Sequence, residues 1–175
     1  MKEFSKVILV DENDNEVGTE EKLKAHIEGK LHRAFSIFLF NDKNEMLLQQ
    51  RALSKYHSGG LWTNTCCSHP QPNSTIEHDI ADRLLFEMGI VCKLTWQFSF
   101  KYKAVFDDGI TENEYDHVFT GYYDDAPIPN PEEVESWKWI SVSELKEDIL
   151  INPQKYTEWF KVALPIVLEK INLQK

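Results

Sequence analysis

Two short fragments of the chain set chemistry-bearing side chains two residues apart: Cys67-Ser68-His69 and Glu112-Asn113-Glu114. In an extended backbone, residues i and i+2 point to one face, so Cys67 faces with His69 and Glu112 with Glu114. His32 opens the strand read from Ala34, and His26 lies six residues earlier, with Gly29 between them able to bend the chain back. Imidazoles combined with carboxylates suit a divalent metal: Zn²⁺ or Mn²⁺, and Mg²⁺ where enough oxygens join. Each feature alone also has a plainer meaning. An acidic pair two apart is a common solvated face of an edge strand, and a single histidine such as His26 is commonly a surface residue. His57, His78 and His117 are read as non-ligands: His117 has the opposite parity from Glu114, and His78 sits on the first turn of a helix. Asp116 shares the parity of Glu114 and is an acid able to stand behind it.

The Cys67 thiol can serve as nucleophile or acid where cations or a metal lie near, or it can be a buried, inert side chain. Cys66, of opposite parity, reads as packing, and Cys92 reads as structural. Lys22, Arg51, Lys55 and Arg83 are locally grouped basic residues able to clamp a diphosphate, although each taken singly is a solvated surface charge. Tyr102 and Trp159 read as core or rim aromatics, with a chemical role where a cationic centre forms beside them.

The elements that must position these groups are legible as patterns. Val7-Ile8-Leu9-Val10 is a short strand ending in the turn formers of residues 11–15. Residues 34–40 and 46–50, separated by Asn41-Asp42-Lys43-Asn44-Glu45, predict a hairpin buried on both faces. Ser74-Thr75-Ile76-Glu77 fits a capping box for a helix in which Ile80, Leu84 and Met88 recur every four residues and Gly89 makes the stop; Asp79, Arg83 and Glu87 share its neighbouring stripe. Leu94, Trp96, Phe98, Phe100, Tyr102, Ala104 and Phe106 alternate with polar residues as a long strand. After Asp107-Asp108-Gly109 an antiparallel partner runs from Ile110 to Tyr123. Trp137-Lys138-Trp139-Ile140 is a further strand, and Ser141-Val142-Ser143-Glu144 is a capping box for a helix to about Leu150. A last amphipathic segment holds Tyr156, Trp159, Phe160 and Val167 and is interrupted or kinked by Pro165. Helices separated by groups of strands imply an α/β (α+β) sandwich with a mixed sheet, in one domain over residues 1–175.

Composition narrows the function. With 42% hydrophobic and 12% aromatic residues the chain is too apolar for disorder, and a net charge of −10 repels phosphates and argues against a nucleic-acid partner. An anionic ligand would therefore need a local basic cluster or bound cations. Three cysteines cannot complete a disulfide framework, which implies a reducing compartment. Residues 1–6 precede only four apolar residues, and no run reaches the roughly 18 needed to span a bilayer. A cytoplasmic protein without membrane insertion is expected, as monomer or homodimer.

The run Trp62-Thr63-Asn64-Thr65-Cys66-Cys67-Ser68-His69-Pro70, preceded by Arg51-Ala52-Leu53-Ser54-Lys55 and followed by Glu112-Asn113-Glu114, resembles type I isopentenyl-diphosphate Δ-isomerase over residues 7–159. The resemblance implies a Nudix-type α/β/α sandwich with a mixed, partly antiparallel sheet. A Nudix hydrolase box reads Arg-Glu-x-x-Glu-Glu-x-Gly, whereas here Asp82-Arg83-Leu84-Leu85-Phe86-Glu87-Met88-Gly89 keeps only Glu87 of the acidic set. That degeneracy argues against diphosphate hydrolysis and matches the isomerases. Carried over by position, the resemblance implies a divalent metal (Mg²⁺, Mn²⁺ or Zn²⁺) on His26, His32, His69, Glu112 and Glu114. It implies a second Mg²⁺ on Glu87 and the substrate diphosphate, with Lys22, Arg51, Lys55 and Arg83 as anion contacts. The reaction implied is a 1,3-allylic proton shift between isopentenyl and dimethylallyl diphosphate. The same resemblance implies Cys67 and Glu114 as its acid/base pair, Tyr102 bonding near Glu114, and Trp159 facing the carbocation-like centre. A Nudix hydrolase, a non-catalytic module binding metal or prenyl diphosphate, and a vicinal-thiol redox protein are the competing readings.

Overall fold

The apolar residues 34–40 fall within β3 (His32–Phe40), buried along its whole length from Ala34 in the computed structural model, which describes residues 6–172. Such burial requires neighbours on both sides. Along one side β8 (Thr111–Tyr122) runs parallel, in register from His32↔Glu114 to Phe40↔Tyr122. β7 (Leu94–Val105) pairs antiparallel with β8, the two joined through the Asp107-Asp108-Gly109 turn. On the other side β1 (Lys6–Val10) meets β3 at Leu9↔His32, and β2 (Glu16–Glu21) pairs with β1. β6 (Cys66–Ser68) pairs with β3 from Phe35↔Ser68 to Ile37↔Cys66.

The predicted hairpin is corrected here. β4 (Glu45–Arg51) pairs with β3 at Phe40↔Met46, after which the two strands part. β4 is instead flanked by β9 (Val134–Ser141) and by β5 (Trp62–Thr63). The wedge between β3 and β4 is filled by Thr63, Asn64 and Thr65, all fully buried. Thr65 Oγ1 accepts from Leu39 N (3.0 Å) and donates to Leu47 O (2.8 Å), and Asn64 Nδ2 donates to the carbonyls of Ile37 and Cys66. These side chains satisfy backbone groups that a continuous ladder would have paired. Polar residues inside the sheet thus hold open a cleft.

Pleating sorts the side chains between two layers. Phe38, Phe40, Tyr102 and Val118 pack towards α3 (Val142–Ile151) and α4 (Glu158–Asn172), which supply Leu145, Trp159, Phe160 and Val167. Phe35, Ile37, Leu39, Cys66 and Phe119 face the opposite way, against Ile80, Leu84 and Met88 of α2 (Ile76–Met88). The result is a helix–sheet–helix sandwich around a mixed sheet of nine strands among the described residues, with Cys66 in the α2 core as its parity predicts. Among the described residues no helix is long and apolar enough to cross a membrane.

Local departures have physical causes. The N-cap of α2 is Thr75, which accepts from His78 N, so the box expected on Ser74 and Glu77 is displaced; Ser74 Oγ instead donates to the buried Asp79 (2.7 Å). The box Ser141/Glu144 forms as expected. α4 continues through Pro165 rather than stopping there, its apolar face secured by the core. A register shift between Trp96 and Phe98 breaks the alternation of β7 and leaves Trp96 exposed. β2 and α1 (Lys22–Glu28) carry no periodic apolar signal, since α1 buries only Ala25 and His26. The residues 1–5, used for the absence of a leader, lie outside the described residues.

Gly89 ends α2 at φ +67°, and a Cβ there would sit 2.5 Å from Ile128 O. The loop it accommodates returns Ile128 N to Met88 O and Asn130 N to Glu87 O, both at 2.9 Å. Gly89→Ala is expected to destabilise the fold by at least about 2 kcal/mol, from left-handed strain plus a clash with backbone. Urea unfolding of the two proteins checks this; an unchanged midpoint would show that the loop yields freely.

Candidate active site

Four histidine and glutamate side chains are drawn to one point by three different constraints. The register His32↔Glu114 sets two of them side by side on adjacent strands. His69 follows β6 directly, and His26 lies on α1, whose C-cap Gly29 (φ +63°) turns the chain back into β3. Their ligating atoms lie within 4.8 Å of one another, and all four residues are buried. His69 Nε2 is 2.9 Å from Glu114 Oε1 and 3.2 Å from His32 Nε2.

The rings are aimed by their outer nitrogens. His26 Nδ1 lies 2.6 Å from Lys22 O and His32 Nδ1 2.8 Å from Lys30 O; a ring that places its proton on this outer nitrogen turns the Nε2 lone pair inward. Those lone pairs and the Glu114 carboxylate are acceptors sharing at most the one proton that His69 Nε2 can carry. His69 Nδ1 is itself buried without a partner. A divalent cation at the centre satisfies this donor set, which combines imidazole nitrogen and carboxylate oxygen in the manner of first-row metal sites. Burial drives His69 to about 3, so it is neutral and competent to ligate at pH 7. Burial opposes charge on Glu114 as well, but the neighbouring His32 and His69 outweigh it and hold the carboxyl well below its usual range.

Glu112 shares the strand face but is not among the four converging groups. Its Oε2 lies 2.9 Å from the Tyr102 hydroxyl, and its Oε1 lies 3.6 Å from His57 Nε2. Burial and the adjacent Glu114 charge raise its pKa. Tyr102, opposite Glu114 in the β7–β8 register, donates to Glu114 Oε2 at 2.6 Å. Asp116 stands on the same face, buried, accepting from Ser36 Oγ at 2.7 Å. His78 is exposed, and His117 bonds Asp14 and Ser99 away from the cluster.

Beside the cluster lies a cavity of about 130 Å³ lined by Lys22, Arg51, Lys55, Cys67, Arg83, Glu87, Tyr102 and Trp159 among others. Every residue expected on catalytic or anion-binding grounds therefore reaches one space. Burial pushes the Cys67 thiol well above its usual range, so it rests protonated. Burial, then the like charges of Arg83, Arg51 and Lys55, lower Lys22. Such crowding of cations favours a bound anion. Arg51 lies over the Trp159 ring at 5.2 Å, and its buried Nε has no partner. Glu87 lines the same cavity at the anion end, where it accepts from Arg83 Nε (2.6 Å) and Gln49 Nε2 (2.8 Å).

Two lining residues escape sequence reasoning. His57 packs edge-on to Trp159, with ring centres 6.0 Å apart, and Glu133 bridges Lys55 and Arg83. Both sit on loops where no periodicity announces which way a side chain points.

Comparison with known proteins places these features in context. The NUDIX domain model matches residues 30–160. Isopentenyl-diphosphate Delta-isomerase 1 of Aromatoleum aromaticum is 50% identical over 162 residues, covering 93% of this chain and 92% of the relative. The isopentenyl-diphosphate Delta-isomerase of Pectobacterium atrosepticum is 46% identical, covering 91% and 89%. Among solved structures, DR0079 from Deinococcus radiodurans superposes with a TM-score of 0.71 at 20% identity, covering 84% of this chain and 90% of that one. The MutT protein from Methanosarcina mazei Go1 gives 0.58 at 17% identity, covering 67% and 81%.

Replacing His26 by Gln keeps the helix but removes one inward lone pair. Affinity for Mn²⁺ or Zn²⁺ is expected to fall by about 100-fold or more, since even groups that merely orient a ligand are worth 10–100-fold. Metal titration followed by calorimetry reads this directly; unchanged affinity would remove His26 from the donor set.

Proposed function

The chain belongs to the NUDIX domain family and, within it, to the isopentenyl-diphosphate Delta-isomerases, and from that premise we propose how its residues carry out the isomerisation. The activity is the interconversion of isopentenyl and dimethylallyl diphosphate in isoprenoid biosynthesis. The observation that carries the residue assignment is the shared cavity: thiol, carboxylate, aromatic and cationic groups all line one space.

Lys22, Arg51, Lys55 and Arg83 bind the diphosphate, and the orphaned Arg51 Nε is one donor waiting for it. Anchoring the charged head leaves the five-carbon tail towards Cys67, Glu114 and Trp159. Cys67 and Glu114 are the acid/base pair: one rests with a proton and the other without, the complement a proton shift between two carbons requires. Tyr102 holds Glu114 Oε2 in place, and its hydroxyl links Glu114 to Glu112. The buried Trp159 ring excludes water and offers its face to the positive charge that develops on the alkene.

His26, His32, His69 and Glu114, with Glu112 beside them, hold a divalent cation, Mg²⁺, Mn²⁺ or Zn²⁺. A cation held there would supply positive charge that orients Glu114 and lowers its proton affinity. Glu87, together with the diphosphate oxygens, would hold a second Mg²⁺. The protein works in the cytoplasm as monomer or homodimer, with residues 1–175 as one domain. Its three thiols are free, consistent with a reducing compartment.

Incubation with isopentenyl diphosphate and Mg²⁺ in D₂O, followed by proton and phosphorus NMR, is expected to yield deuterated dimethylallyl diphosphate with the diphosphate intact. Phosphate release would restore the hydrolase reading. Cys67→Ala and Glu114→Gln are each expected to cut kcat by about 10²- to 10⁴-fold with unchanged circular dichroism. Near-normal turnover in either variant would sink the role given to that residue. Arg51→Lys loses the planar fork and the stacking on Trp159, and should raise KM by about tenfold; steady-state kinetics would show it.

A further inference from the structure

Glu133 sits among the substrate-facing cations, and the proton shift itself requires no carboxylate there. Its Oε2 accepts from Arg83 Nη2 at 2.7 Å and pairs with Lys55 Nζ, with the side chain only 16% exposed. The backbone keeps it there. Ala52 N donates to Glu133 O (2.9 Å), Glu133 N to Asn130 O (3.0 Å), and Asn130 N to Glu87 O (2.9 Å). The loop is therefore anchored both to the segment that carries Arg51 and Lys55 and to the helix that carries Arg83. Glu133 lines the same cavity as those cations. The carboxylate is a fixed negative charge shared by two of the four cations of the clamp, Lys55 and Arg83, the second of which also donates to Glu87.

We propose that Glu133 is a specificity-determining residue: an internal anion that makes the clamp discriminate against ligands with one phosphoryl group and favour those with two. The inference rests on the reading that this cavity receives the diphosphate of a prenyl substrate. A lone phosphate that reaches Lys55 and Arg83 only exchanges one anion for another on the same donors, so its net gain is small. A second phosphoryl group extends towards Arg51, whose buried Nε is unpartnered, and towards Lys22, and adds contacts for which no carboxylate competes. Discrimination is a difference of affinities, and a like charge set against the lesser ligand is one way to build it.

The test is calorimetric titration of inorganic phosphate and inorganic diphosphate into the metal-loaded protein and its E133Q variant, at constant free Mg²⁺. Glutamine preserves size and an accepting oxygen while removing the charge. Phosphate is expected to bind about tenfold more tightly to E133Q, the worth of one partly buried charge contact, while diphosphate affinity changes less than about threefold, so the selectivity ratio narrows. Equal tightening of both ligands, or weaker phosphate binding, would overturn the proposal. Thermal melting reports whether E133Q folds; if it does not, E133D, which retracts the charge by one methylene, should shift the ratio in the same direction by a smaller factor, and an unshifted ratio counts against the role. Turnover of isopentenyl diphosphate by the unmodified protein is measured in parallel. An inactive protein that binds no diphosphate would bring down the substrate reading, and with it the proposal. An active protein whose selectivity is untouched by E133Q would bring down only the role of Glu133.

Discussion

The parallel register of β3 against β8 is the constraint on which the site depends. Pairing His32 with Glu114 sets imidazole and carboxylate side by side, and the same ladder carries Tyr102 to Glu114 through β7 and Cys67 to Ser36 through β6. A slip of one residue would turn Glu112, Glu114 and Asp116 into the α2 layer and leave His32 facing Tyr115 or Asn113. What prevents the slip is apolar. Phe35, Ile37, Phe38, Leu39 and Val118 are essentially fully buried on the two faces, and each contributes roughly 1.5–3 kcal/mol by leaving water. The polar chemistry is thereby located by hydrophobic burial and not by the polar contacts themselves.

The cavity joins two ends with opposite demands. At one end, inward lone pairs and an ionised carboxylate call for a cation; at the other, lysine and arginine side chains call for an anion. Neither arrangement stabilises the empty protein, because buried acceptors without donors and crowded like charges both raise its free energy. A cation at the first end and an anion at the second would recover the cost, and any such binding would stabilise the fold by mass action. Against a chain net charge of −10, four cations, Lys22, Arg51, Lys55 and Arg83, are gathered at this one cavity.

The cleft itself arises from a defect in regular structure. β3 and β4 part after one pair, and buried threonine and asparagine side chains take over the hydrogen bonds that the ladder gives up. That insertion delivers Cys67 to the face of β3 opposite Cys66, and α4 closes over it with Trp159. The distinctive run of residues 62–70 therefore serves two ends at once, as a wedge that opens the sheet and as the carrier of the Cys67 thiol and the His69 imidazole.

Much of this was legible in the chain because it depends on local period. Alternation over residues 94–106, the four-residue recurrence of Ile80, Leu84 and Met88, and the capping box at Ser141 are set by backbone geometry that neighbours in sequence already share. The same parity grouped Cys67 with His69 and Glu112 with Glu114, and separated Cys66 and His117 from them. Parity says which side chains share a face, but not which strand lies beside which. The splitting of the expected hairpin, the meeting of His26, His32, His69 and Glu114 at one point, and the approach of Glu133 to Lys55 and Arg83 all follow from long-range packing. His57 and Glu133 lie on loops, where direction is decided by the elements that the loop docks against. The sequence by itself determined the periodic elements, most of the groups that line the cavity and the family to which the chain belongs; only the tertiary structure decided their meeting point, because contacts between residues far apart in the chain depend on how whole layers pack.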